Sequence, residues 1–233
     1  MRNLFVFLNP NHSFDDGYNS EKMAEAQIDN CLRFEKDIML ITNFPYEYRG
    51  VKAMEVSDEL FCEVDKKASK INIIVHLLEN KMLDGLTWFH DLDAFQLAPI
   101  DLELKRDVGF TTYGYKTNWN TGSIFFKPEA LDVFRWIKDC VYAIEEGEEQ
   151  ALQLLTEHNF NNINSRYEKI DSTYNVGIRG TKKVVFISEK PIKVIHFPAH
   201  KHRGCWMMYD LFTPELNKIL KEKFEKPTNL HQS

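Results

Sequence analysis

Cysteine is scarce in this sequence and badly spaced for crosslinking: Cys31, Cys62, Cys140 and Cys205 are far apart, with no CxxC pair. That spacing argues against a disulfide framework and against a four-thiolate zinc site, and leaves the thiols as reduced core filler. Long apolar runs are missing too. No stretch reaches membrane length, and the short apolar segment near the start is too brief for the hydrophobic part of a secretion signal. The expectation is a cytoplasmic protein without a membrane span. Positive charge is not in excess either, since 29 Lys and Arg face 35 Asp and Glu for a net charge of −6. Such a chain lacks the basic footprint that grips a phosphate backbone, so nucleic acid is not an expected partner. Internal repeats and low-complexity segments are absent as well.

What is present is 233 residues, 43% of them hydrophobic, enough for one substantial core. Residues 4–8 and 37–42 are short apolar runs closed by Asn and Pro, which reads as two buried strands. Between them Ala24, Ile28, Cys31 and Leu32 share one face of a helix capped by Asn19 or Ser20. Residues 51–56 give a weaker third strand. Ala68, Ile71, Val75, Leu78 and Met82 mark an amphipathic helix over 65–83, and residues 86–89 a fourth strand. Alternation of this kind predicts an α/β fold, a mostly parallel central sheet flanked by helices. Beyond it come strands at 108–115 and 122–126, helices around 130–144 and 148–158, a hairpin of 183–187 with 192–196, a helix at 214–224 and a polar tail, 225–233. One domain over 1–224 is expected, its first half ending near residue 95.

The fourth strand runs directly into Asp91-Leu92-Asp93. In open parallel α/β sheets ligands sit outside the carboxyl ends of the strands. Two carboxylates this close repel, and a hard divalent cation such as Mn2+ or Mg2+ lets both stay ionised. A polar strand-end turn, with Asp93 capping a short helical turn through Phe95, would also explain the pair.

The run 86–97, LTWFHDLDAFQL, resembles the strand-DxD-apolar signature of nucleotide-sugar glycosyltransferases with the GT-A fold. Other stretches resemble that family's pattern in order: Asn120-Thr121-Gly122 at the start of a strand, Glu149-Gln150 opening a helix, Tyr174-Asn175-Val176, and His196-Phe197-Pro198-Ala199-His200-Lys201. The order is closest to the family 8, glycogenin- and galactosyltransferase-like, enzymes. Ala199 stands where their closing motif has Gly, and Glu149 where Asp is usual.

The resemblance implies a metal-dependent transferase moving a hexose from a nucleotide-diphosphate sugar, with UDP-sugar the guess, to an acceptor hydroxyl with retention. Residues 1–95 would be the nucleotide-binding half and 96–224 the acceptor half. It further implies Asp91, Asp93 and His196 as metal ligands, with Asp91 also facing the ribose. Lys201, Lys66 and Lys70 would meet the donor, Asn120 and Gly122 the sugar, and Glu149 with Gln150 the reacting carbon or acceptor. Asn9, by its position at the carboxyl end of the first strand and not by any motif, is a candidate nucleoside contact. Tyr113, Tyr115, Trp119 and Trp206 are candidates for stacking on sugar faces. Each residue also has a structural explanation: a strand-end histidine, solvated lysines, a helix start rich in Glu. A zinc site from His196, His200, His202 and Cys205 fits no usual spacing. A phosphohydrolase with a DxD and a non-catalytic sugar- or protein-binding module are the rival functions.

Overall fold

The computed structural model describes residues 1–16, 19–34, 37–112, 118–177, 188–197 and 212–224. Its strands are β1 (Arg2–Phe7), β2 (Ile38–Thr42), β3 (Glu47–Tyr48), β4 (Val51–Lys52), β5 (Met54–Glu55), β6 (Thr87–His90), β7 (Ala94–Gln96), β8 (Val108–Thr112), β9 (Trp119–Phe126), β10 (Tyr167–Lys169), β11 (Val176–Gly177) and β12 (Val194–His196). The α-helices are α1 (Ser20–Cys31), α2 (Ser69–Glu79), α3 (Leu131–Ile144), α4 (Glu148–Glu157) and a final one, Pro214–Phe224.

Seven strands form the main sheet in the order β10-β8-β9-β6-β1-β2-β5. All neighbours are parallel except β9, which runs antiparallel to both β6 and β8. The fold is therefore α/β with a mostly parallel central sheet between helices. Alternating side chains explain why both faces need cover. Leu4, Phe89 and Ile124 point into a core shared with α2, α3 and α4. Their neighbours point the other way: Phe5 packs with Ile28 of α1, and Trp88 with Phe125 and Tyr174. Burying a side chain such as Phe89 contributes roughly 1.5–3 kcal/mol.

A second sheet, β11-β12-β7, lies on the α1 side, where Phe95, Ile195 and Phe197 pack against Met23 and against Leu216, Leu220 and Phe224 of the final helix. It arises because the chain leaves β6, turns through Asp91–Asp93 and resumes at once as β7.

Several expectations change. The single strand at 51–56 divides at Ala53: Val51–Lys52 closes a hairpin with β3, and Met54–Glu55 alone joins the main sheet. No helical turn runs through Phe95, which is in β7. Asn120 does not precede a strand but lies inside β9, which starts at Trp119. Leu32, expected on the buried face of α1, is 40% exposed. β12 pairs with β7 and β11, while residues 183–187 lie outside the described residues. The helix expected over 65–83 is a 3-10 turn, Lys66–Ala68, followed by α2. Among the described residues no helix is long and apolar enough to cross a membrane.

Candidate metal centre and nucleotide cleft

The turn after β6 is closed by backbone. The Asp91 N–H donates to the Gly122 carbonyl (2.9 Å), the Ala94 N–H to the Asp91 carbonyl (3.0 Å) and the Phe197 N–H to the Asp93 carbonyl (2.7 Å). The antiparallel register of β7 with β12 sets His196 opposite Ala94. His196 Nε2 consequently lies 2.9 Å from Asp93 Oδ1 and 3.8 Å from Asp91 Oδ2. One ligand atom from each of the three residues falls within 4.8 Å of the others. Gly122 makes room for this: a Cβ there would stand 2.3 Å from His196 Cε1 and 2.9 Å from Asp91 Oδ2. Burial alone would push the His196 imidazole down, but the Asp93 and Asp91 carboxylates outweigh it and raise its pKa to about 9.

Two carboxylates and one imidazole, brought together where Gly122 leaves room for the imidazole ring, fit a six-coordinate oxygen-preferring cation that tolerates nitrogen. Mn2+ suits that set well and Mg2+ acceptably. His196 must be neutral to ligate, so a cation has to displace its proton.

Across the turn, Lys70 of α2 stands with its Nζ 3.3 Å from Asp91 Oδ1 and 2.9 Å from Glu148 Oε1. Glu148 opens α4, is 3% exposed, and accepts from Thr121 Oγ1 at 2.8 Å. Burial would depress the Lys70 ammonium, but Asp91 and Glu148 hold its pKa above the ordinary lysine value. Burial likewise opposes the Glu148 charge, and Lys70 overcomes it, keeping that carboxyl below its usual range. Next to them Glu149 Oε1 accepts from Asn120 Nδ2 (3.1 Å) and from the Thr121 N–H (3.2 Å). Asn120 Oδ1 in turn accepts from the Gly122 N–H (3.1 Å) and from Asn175 Nδ2.

These groups border one cleft of about 540 Å³ at the carboxyl ends of β1 and β6. Asn9, Lys66, Lys70, Asn120, Glu149 and Gln150 line it, together with the Asp91, Asp93 and His196 cluster. Gly122 lies behind that cluster. Lys201, like Tyr113, Tyr115, Trp206, His200, His202 and Cys205, lies outside the described residues. Trp119 is not an open stacking surface: it is 7% exposed and its indole N–H donates to Thr156 Oγ1 at 2.9 Å. Asn9 is held from below, because Asn43 accepts from its N–H and donates to its carbonyl, both at 2.9 Å.

Sequence reasoning missed Asn43, Glu148, Gln27 and Asn30, all of them buried. Glu148 was hidden in a run of glutamates that resembles a solvated helix start. A signal for Gln27 did exist: it lies three residues after Ala24 and four before Cys31, on the buried stripe of α1.

No family model matches this chain, and no curated protein matches it by sequence. Solved structures do. The galactosyltransferase LgtC, in complex with donor and acceptor sugar analogues, shares 12% identity over 98% of each chain, with a TM-score of 0.60. A glycosyltransferase involved in glycosylating the major capsid of PBCV-1 shares 14% identity over 87% of this chain and 98% of its own, at 0.56. The glycosyltransferase GlyE of Streptococcus pneumoniae TIGR4 shares 14% over 95% of this chain, which spans 63% of GlyE, at 0.59. Identities this low speak to architecture alone, and the architecture of this chain is the GT-A fold of glycosyltransferases.

Proposed function

We propose that this protein is a metal-dependent glycosyltransferase that moves a hexose from a nucleotide-diphosphate sugar, a UDP-sugar first among them, to an acceptor hydroxyl. The observation that carries this is the convergence of Asp91, Asp93 and His196 at the strand ends of a GT-A fold, in a cleft wide enough for a nucleotide. The likeness to glycosyltransferases of known structure supports it.

In this reading Asp91, Asp93 and His196 hold Mn2+ or Mg2+. The bound cation supplies electrostatic stabilisation of the negative charge that grows on the leaving diphosphate. Lys70 and Lys66, along the same cleft, add positive charge towards the phosphates, and Lys201 is assigned the same task from its motif. Asn9, fixed by Asn43, faces the nucleoside at the end of β1. Residues 1–95 form the nucleotide half and 96–224 the acceptor half. Gly122, expected against the sugar, instead lies behind the cluster and leaves room for the His196 ring beside Asp91. Asn120 uses its amide to orient Glu149, so that Glu149 and Gln150 face the reacting carbon and the incoming hydroxyl. Retention of configuration and membership of family 8 follow from the motif order, and a cytoplasmic location from the composition.

The test is a thermal-shift and donor-hydrolysis screen of the purified full chain against a nucleotide-sugar panel, with and without Mn2+. A Mn2+-dependent shift with at least one donor, release of its nucleoside diphosphate, and loss of both in Asp93→Asn are expected. If no donor shifts the melt or is hydrolysed with Mn2+ present, the enzyme reading fails.

A further inference from the structure

Behind the Asp91–Asp93 turn, α1 presents two fully buried amides to the bare edge of a strand. β7 pairs with β12 along one edge, where Phe95 faces Ile195 and the Leu97 N–H donates to the Lys193 carbonyl at 2.8 Å. Its other edge, at Ala94 and Gln96, has no strand beside it among the described residues. Helix side chains take the strand's place. Asn30 donates to the Gln96 carbonyl (3.0 Å) and accepts from the Gln96 N–H (2.9 Å), and Gln27 Nε2 donates to the Ala94 carbonyl (2.7 Å). The same Gln27 nitrogen lies 2.7 Å from His90 Nδ1, so that ring nitrogen accepts. Gln27 therefore grips the residue immediately before Asp91 and the residue immediately after Asp93.

The grip is costly. Among the described residues the Gln27 carbonyl oxygen is buried with no hydrogen-bond partner. Turning the amide over would set that oxygen against the Ala94 carbonyl, which can only accept, and would keep the bond to His90 only in the other imidazole tautomer. An apolar side chain of equal volume would bury no amide oxygen, but it would leave the Ala94 carbonyl on the bare strand edge without its donor. What the amide adds is control of the turn, and the pairing of β7 with β12 carries that control to His196.

We infer that Gln27, seconded by Asn30, is the positioning residue that holds Asp91, Asp93 and His196 in register before any ligand arrives. The inference deepens the proposed function and, in what it says about a cation, rests on it. Partners that orient ligands from behind typically change metal affinity by about 10–100-fold when removed.

The experiment uses the metal-free full chain and two readouts, Mn2+ affinity by titration calorimetry and amide hydrogen exchange at Ala94 and Phe197. Gln27→Met, close in volume but unable to donate, should weaken Mn2+ by about 10–100-fold and speed exchange at both amides roughly tenfold, leaving β1 protected. Gln27→Glu keeps the shape, and should match or exceed that loss because it sets a carboxylate oxygen against the buried Ala94 carbonyl. Lys223→Met is the control: it frees the final helix from Glu25 of α1 without touching the β7 edge, and should leave both readouts unchanged. Faster exchange in Gln27→Met, in a wild type that binds no Mn2+, would uphold the positioning role and overturn the metal-dependent transferase. Unchanged exchange and unchanged affinity in both Gln27 variants would overturn the inference.

Discussion

On the α2–α4 side of the cleft a buried ammonium, Lys70, stands between two carboxylates, Asp91 and Glu148. On the β7–β12 side, Asp91 and Asp93 share one imidazole, and the elements carrying them are steadied from behind by uncharged amides. The first arrangement comes near to balancing its own charge. The second, once His196 has given up its proton, leaves two carboxylates with no cation between them, an excess of negative charge that a divalent cation would complete. In the proposed function, charge that holds the scaffold and charge kept for a ligand then lie a few ångströms apart, with Asp91 and the cleft-lining Lys70 belonging to both.

The largest effect should come from breaking the balanced side. Lys70 and Glu148 side chains are 7% and 4% exposed, so removing one partner strands the other away from water. Lys70→Met is expected to cost about 3–5 kcal/mol, and Lys70→Met/Glu148→Gln to recover most of it. Urea melts of the single and double variants measure this. A loss below about 1 kcal/mol for the single variant would mean that the pair behaves as a surface pair and the contrast between the two sides is unreal.

A smaller effect, of opposite sign with and without metal, belongs to the other side. His196 has its pKa raised to about 9 in the folded chain, against an ordinary value near 6.5. Its protonated form therefore stabilises the metal-free protein fully below about pH 6.5, and that contribution is lost as pH rises through about 9, at most roughly 3 kcal/mol. Thermal midpoints without metal should fall over that window. Mn2+ binding must expel the same proton, so affinity should rise by roughly tenfold per pH unit across it. His196→Gln should flatten both profiles. Two profiles running the same way would show that His196 does not ligate.

How much of this could be read beforehand depended on range. Near-continuous apolar runs such as 38–41 gave the parallel strands, because burial on both faces leaves a pattern within a few residues. Asp91 and Asp93 were legible because both fall in one short turn after such a run. His196 was legible only through motif order, since more than a hundred residues separate it from Asp93 and nothing local announces the β7–β12 register that joins them. Glu148 and Gln27 were opaque for a further reason: a buried polar side chain has the same sequence signature as an exposed one, and only its distant partner tells them apart. β7 was lost in the same way, a strand of three residues whose edge is completed by side chains of a helix.

The smallest predicted effect gives the comparison its baseline. Arg135 on α3 also makes a close ion pair, donating from Nε and from an Nη to Glu79 Oε1 at 3.0 and 2.9 Å, with geometry as good as that of Lys70 and Glu148. Yet these two side chains are 47% and 43% exposed, so water competes for both charges and neither is stranded by loss of the other. Arg135→Gln should cost less than about 1 kcal/mol, and less again at 1 M salt, where screening is nearly complete. Urea melts at low and high salt decide it. A cost comparable with that of Lys70→Met would mean that distance rather than burial sets the worth of these pairs, and the division between scaffold charge and ligand charge would lose its physical basis.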